Sequence, residues 1–464
     1  FFFEMSPQLI ALVLFSVLSV TLGQTELHGS GTTNPSKLIW KAMSILEEET
    51  KAPTRMTYRA IGSGGGQAEF VAGVNDFGAG DIPLGATDFE TMTVTNGKTV
   101  LHIPFVIGAV SFFHSVPNMP NLKLSGCVLA GIYQGTITAW DDPAIKALNP
   151  GFNPPSGQKI HAARREHGSS STSAMSAYLS AASAAAGCSN AWTIGVGKGG
   201  DGKAPTWPAA LAAKQGSDGM AGYLDSQPYA IAYVDSGHGV ALGLHEVHIS
   251  NKDGQYLTST TGDIAGAASV LQLPASDASW ANVNPIYAAG PRTWPMVAFS
   301  YFYVVKDQSA TGNTGALLKG FLEYMLSDKV KGMLPRFGFS AIPDTARQQA
   351  KTAVESITLG GGVTPWTFEY ADITRKIDGA GPHVFSAKRR TYEEYQLGVH
   401  DMQLADMMDH FKMLQDKVKE LEEKVKTLES TPSTSGQAPA SGSGATASFN
   451  VNFYNNQPNG CPSS

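Results

Sequence analysis

The chain has 464 residues, of which 42% are hydrophobic and 16% charged, and its formal net charge is −6. That is enough chain for two sizeable cores, and the mildly acidic balance argues against a nucleic-acid partner, which calls for a basic stripe. With only three cysteines, Cys127, Cys188 and Cys461, there is no cysteine zinc cluster.

An apolar run over residues 9–22 ends at Gly23-Gln24. It is short for a membrane span and has the length of a signal-peptide core, so residues 5–23 are read as a secretory signal peptide. In an exported chain Cys127 and Cys188 are candidates to pair, leaving Cys461 over. Free thiols are the alternative reading.

From about residue 27 to 357, short β-like runs alternate with helical patterns. Residues 55–61 and 102–113 read as strands. Residues 35–49 read as a helix with Trp40, Met43 and Leu46 on one face, Pro35 at its first position and Asn34 as its cap. Strands alternating with helices predict α/β layers.

Four segments in this region share a composition: HGSGTTNP at 28–35, IGSGGGQ at 61–67, DFGAGDIPL at 76–84 and RREHGSSSTS at 164–173. Three are Gly/Ser/Thr-rich turns opening helix-like sequence. Each can present backbone N–H groups and hydroxyls to an anion, although any one alone is as well explained as a capping turn. The set also holds an arginine pair and a lone buried-looking aspartate, Asp81. Elsewhere GVGKGGDG at 195–202 lacks a Walker ending, because Gly199 follows Lys198. His245 and His248 lie three apart in β-like sequence, not on a helix. No Gly-x-Ser-x-Gly elbow occurs.

Residues 361–400 show no period and read as a linker. Over 401–430, Leu404, Met407, Phe411, Leu414, Val418, Leu421, Val425 and Leu428 recur at 3-4-3-4 spacing, with Lys417 and Lys424 at g and Glu422 and Glu429 at e. That is a coiled-coil seam suited to a second copy of the chain; an amphipathic helix packed on its own domain is the alternative. Residues 431–464 are a low-complexity tail.

Taken in order, GSGTTNP, IGSGGG, DFGAGDIPL, the arginine-pair loop, SDGMAGYLDSQPYAIAYV and WPMVAFSYFYVV resemble the phosphate-binding protein of bacterial phosphate ABC transporters. The resemblance covers about 330 residues. It implies a two-lobed α/β periplasmic-binding-protein (type II) fold with a hinge, over 25–357. Lobe one would combine about 25–103 with 295–357, lobe two would be about 104–294, and the crossings would lie at 103–116 and 294–307. It also implies phosphate held in the cleft by Thr33, Asn34, Ser63 and Asp81 from lobe one, and by Arg165, Ser169, Ser170 and Ser171 from lobe two.

The chemistry of that set is coherent. Phosphate at neutral pH keeps a P–OH proton and sulfate does not, so a buried carboxylate such as Asp81 accepts from the first and is left unpaired beside the second. Arg165 can give two parallel charge-assisted bonds to a tetrahedral oxyanion. The sequence departs from the family pattern at His167, where an acidic residue normally offsets the arginine, at Ser170, normally glycine, and at Asn34, often aromatic. His167 then either modulates the charge of the site or faces away from it.

The resulting expectation is an extracytoplasmic, non-enzymatic binder of inorganic phosphate. It needs no cofactor or metal, is secreted to the periplasm or cell surface, and has an ABC transporter permease and further copies of itself as partners. The alternatives are a cell-surface structural protein reusing the fold, and a phosphatase-like enzyme, for which no clear nucleophile and base are visible.

Overall fold

A computed structural model describes residues 23–184, 187–200, 204–269, 271–369, 382–389 and 391–429. The apolar run read as a signal-peptide core, the 431–464 tail and Cys461 lie outside the described residues. The chain divides into a unit up to Arg390 and a second from Thr391.

The first unit is built on a nine-stranded sheet. Strand β1 (Thr25–Gly31) leads into helix α1 (Ser36–Glu48), β2 (Thr54–Ala60), α2 (Ser63–Ala72) and β3 (Phe77–Gly80). Long strand β4 (Val100–His114) then enters the other half, with α3 (Gly126–Gln134), β5 (His161–Arg165), α4 (Ser170–Ser183), β6 (Ala212–Lys214), α5 (Gly216–Ser226) and β7 (Ala230–Asp235). Strand β8 (Val297–Val305) returns, followed by α6 (Asn313–Met325) and α7 (Asp344–Glu355). The sheet order is β2-β1-β3-β8-β4-β7-β5-β6, with His245–Glu246 as a further strand on β4.

Two strands, β4 and β8, carry the chain between lobes. All 15 residues of β4 are buried, as its near-continuous apolar sequence requires. Its first part, Val100 to Ala109, pairs antiparallel with β8, and its last part, Val110 to His114, pairs with β7. The β4–β8 register shifts at Ser300/Tyr301. Opposite that point lies Pro104, which has no N–H to give to the ladder.

Each lobe has its own core. Leu27, Ile39, Phe77, Phe302 and Phe321 cluster in lobe one, and Phe112, Tyr133, Trp140, Tyr178 and Tyr233 in lobe two. Cys127 and Cys188 are joined by a disulfide, with Cα atoms 5.7 Å apart, tying the start of α3 to the loop after α4.

Three expectations are corrected. Helix α1 begins at Ser36 without a side-chain cap and buries Leu38, Ile39, Ala42, Met43 and Leu46. Asn34 does not cap it, and Trp40 lies at the edge of the stripe, donating its indole N–H to Tyr58 O. The stretch read as a linker carries lobe-one core: Trp366 and Phe385 are buried against α6, and Ser386 N–H and Arg389 Nη1 both donate to Glu49 O. Two aromatics separated by many residues leave no periodic trace. Finally, the C-terminal helix α8 (Tyr392–Glu429) starts well before residue 401. Its seam residues Leu404, Met407, Phe411, Leu414, Val418 and Leu421 are exposed. No described helix is long and apolar enough to cross a membrane.

Candidate functional site

The cleft is assembled where helices begin. The loop after β1 carries Thr32 and Thr33. Tyr58 Oη pins it by donating to Thr32 O at 2.8 Å. Ser63 opens α2, and Ser169 precedes α4, capping it by accepting from Ser171 N–H at 3.2 Å. First-turn N–H groups of a helix have no intrahelical acceptor, so α2 and α4 both turn donors toward this space.

Asp81 is the hub on the lobe-one side. It is buried, and three hydroxyls donate to it: Thr32 at 2.5 Å, Ser300 at 2.6 Å and Ser170, from the opposite lobe, at 2.8 Å. Its own N–H donates to Ser63 Oγ at 3.2 Å. The β4–β8 register shift at Ser300 sits beside this carboxylate. Burial, and then the charge of Asp235, push the Asp81 carboxyl up to about 6, against the opposing pull of the three hydroxyls.

Arg165 ends β5 on the lobe-two side. Tyr233 Oη accepts its backbone N–H at 2.9 Å and bonds Thr172 Oγ1 at 2.7 Å. The residue is only 6% exposed, yet no described acceptor takes a hydrogen bond from its guanidinium. Nη2 reaches the other lobe, lying 3.8 Å from where a Cβ on Gly62 would sit. Burial pulls the guanidinium below its ordinary range, and Asp235, Tyr233 and Asp81, in that order, pull it back.

Asp235 is the second acidic hub. It is buried at the end of β7 and accepts from Ser171 at 3.1 Å and Ser217 at 2.6 Å. Ser217 in turn meets Thr33 Oγ1 of lobe one at 3.2 Å.

The structure therefore brings together Thr33, Ser63, Asp81, Arg165, Ser169, Ser170 and Ser171. Asn34 is at the edge: its N–H donates to Thr32 Oγ1 at 3.3 Å and its side chain lies over Gly108 of β4. His167 stands apart, exposed and without a hydrogen bond or ion pair to a described residue. The carboxylate that offsets Arg165 comes instead from Asp235, which the sequence reading did not single out. Thr32, Ser217 and Ser300 were missed as well. Asp235 had a visible signal, an acidic residue closing the apolar run AIAYV at a strand's carboxyl end, where α/β folds bind ligands.

Two α/β lobes joined by β4 and β8 around a buried polar cleft make this a two-lobed solute-binding protein, and residues 19–329 match the PBP superfamily domain. Among curated relatives, the phosphate-binding protein PstS of Pasteurella multocida is 31% identical over 311 residues, 67% of this chain and 84% of that protein. Phosphate-binding protein PstS3 of Mycobacterium bovis is 28% identical, over 72% of this chain and 87% of its own. The chain belongs to the PBP superfamily and, within it, to the PstS-like phosphate-binding proteins. Its fold is shared with a high-affinity periplasmic phosphate-binding protein solved with phosphate (TM-score 0.56, 18% identity, 70% of this chain and 93% of that one). It is shared equally with a phosphate-binding protein from Stenotrophomonas maltophilia (TM-score 0.56, 17% identity, 71% and 94%).

Proposed function

We propose that this chain binds inorganic phosphate between its lobes, outside the cytoplasm, and delivers it for uptake. One observation carries the reading: Arg165 is buried in the cleft with no acceptor for its guanidinium among the described residues, facing an acidic hub that spans both lobes. An oxyanion between them takes the two parallel N–H bonds of the guanidinium and the donors of α2 and α4, while Asp81 accepts the P–OH proton. Thr33, Ser63, Ser169, Ser170 and Ser171 supply the remaining hydroxyl and N–H donors. Sulfate has no proton for Asp81, which is the basis of selectivity.

Binding, not bond cleavage, is the activity this arrangement serves. The lobes close on the anion, and the closed form is what a transporter permease engages. Calorimetry with phosphate and with sulfate tests the reading. Phosphate affinity at micromolar or tighter, lost in Arg165→Met, supports it; no phosphate binding below millimolar overturns it.

The exposed apolar seam of α8, flanked by charge, favours a second copy of the chain as its occupant, so that several binding domains are held together. Sedimentation of the full chain should show an oligomer that becomes monomeric on truncation after Val399. A monomeric full-length chain refutes this part.

A further inference from the structure

The GVGKGG loop at 195–200 lacks a Walker ending, and the structure gives it another place. It lies against the start of α4: Ser169 N–H donates to Lys198 O at 2.9 Å, and Ser176 Oγ donates to Gly197 O at 3.3 Å. A Cβ on Gly200 would stand 2.6 Å from Gly168 N, so the loop packs directly on the backbone of the arginine loop.

From there Lys198 reaches across the cleft. Its Nζ donates to Oε1 of Gln67, on α2 of lobe one, at 2.6 Å. Gln67 is 1% exposed and its amide is held in one orientation. Its Nε2 donates to Pro83 O at 2.9 Å, Tyr303 Oη at 3.0 Å and Ile82 O at 3.3 Å, so only the carbonyl oxygen faces the other lobe. Beside it Gly64 N–H donates to Gly168 O at 3.4 Å, a backbone bond from α2 to the arginine loop on which the 195–200 loop packs. Both bonds exist only when the lobes are together. A bond made only in the closed form raises the closed population, and with it the apparent affinity for a ligand enclosed by closure.

We propose that Lys198 is the closing latch of the cleft, a positioning residue that sets phosphate retention without touching the anion. The proposal rests on the phosphate reading above for its ligand, but its latch geometry does not. On the full chain, calorimetry with inorganic phosphate and deuterium uptake of residues 62–67 are measured for wild type, Lys198→Met, Gln67→Met and the double variant. Lys198→Met should raise Kd about tenfold, the lower end for a charge-assisted bond, and speed uptake at 62–67. Gln67→Met should do the same, and the double variant no more than either alone. Unchanged Kd and uptake in Lys198→Met overturn the latch, as do fully additive effects. If Gln67→Met does not fold, Lys198→Gln replaces it and should fall between Met and wild type; equality with Met overturns the charge-assisted bond. If wild type fails to bind phosphate, the phosphate reading falls and uptake in the ligand-free chain alone decides: faster in Lys198→Met supports the latch, unchanged refutes it.

Discussion

Ser170 donates its hydroxyl to Asp81 at 2.8 Å across the cleft, while the next residue, Ser171, donates at 3.1 Å to Asp235 within its own lobe. Adjacent serines at one helix start thus serve two buried carboxylates, and Arg165 feels both. Before any anion enters, the site sets two carboxylates against one guanidinium, with Asp81 placed as the member that reads the ligand's proton.

Asp81→Asn should therefore affect selectivity more than fold. An asparagine presents an N–H₂ that donates to any oxyanion, and its carbonyl is a weaker acceptor than a carboxylate. Phosphate affinity should fall on the order of ten- to a hundredfold, the range for a bond to a charged group. Sulfate affinity should hold or rise. Competitive calorimetry checks the ratio; a variant with wild-type discrimination would remove Asp81 from the recognition step.

The raised Asp81 carboxyl gives a pH signature. Its value of about 6 lies above the ordinary 3.8. Between those limits the folded chain holds a proton that the unfolded chain has released, so stability falls as pH rises through that window. Fully developed, the effect is about 3 kcal/mol. The ligand-free chain should lose more melting temperature than Asp81→Asn on going from acid to neutral pH, the difference between the two isolating this group. Discrimination against sulfate should also weaken below about pH 6, where protonated Asp81 can donate to it.

How much of this was legible depended on where each residue stood. Ser63, Asp81, Arg165 and Ser170 sit in short Gly/Ser-rich turns, which announce themselves by composition. Ser300 sits inside a buried strand and meets Asp81 across the sheet beside a register shift, a placement invisible to any local pattern. Asp235 and Ser217 are remote in sequence from Arg165, and only the pairing of β5 with β7 unites them. The 3-4 spacing of α8 foretold its helix, whereas Trp366 and Phe385, far apart in sequence and stacked on each other in lobe one, leave no period to read.

The substitution at residue 167 should matter less than the family pattern suggests. His167 is exposed, and Asp235 offsets Arg165 from inside. His167→Ala should change stability and phosphate affinity little, within about 0.5 kcal/mol as for an exposed side chain. Asp235→Asn removes the acceptor of two serine hydroxyls and the nearest counter-charge, and should destabilise the ligand-free chain by about 2 kcal/mol. Thermal melts with and without saturating phosphate distinguish the two. A larger loss in His167→Ala than in Asp235→Asn would return the compensating role to the loop.

Closure also depends on a backbone contact between the lobes. Gly237, just after β7 in lobe two, lies against Gly338 of lobe one so closely that a Cβ on Gly237 would sit 2.7 Å from Gly338 Cα. The neighbour is backbone and cannot swing aside. Gly338 itself has φ +74, and a Cβ on it would lie still closer, 2.3 Å from Gly237 Cα. A side chain at 237 has space only when the lobes part, so Gly237→Val should act as a wedge against the closed form. Overpacking of this kind costs about 1–3 kcal/mol, which is felt as roughly a five- to hundredfold loss of phosphate affinity. No residue that faces the anion is altered, so the loss reports closure and not contact with phosphate. Small-angle scattering with saturating phosphate should show incomplete compaction relative to wild type. Full compaction with wild-type affinity would mean that the interlobe contact at Gly237 yields without cost.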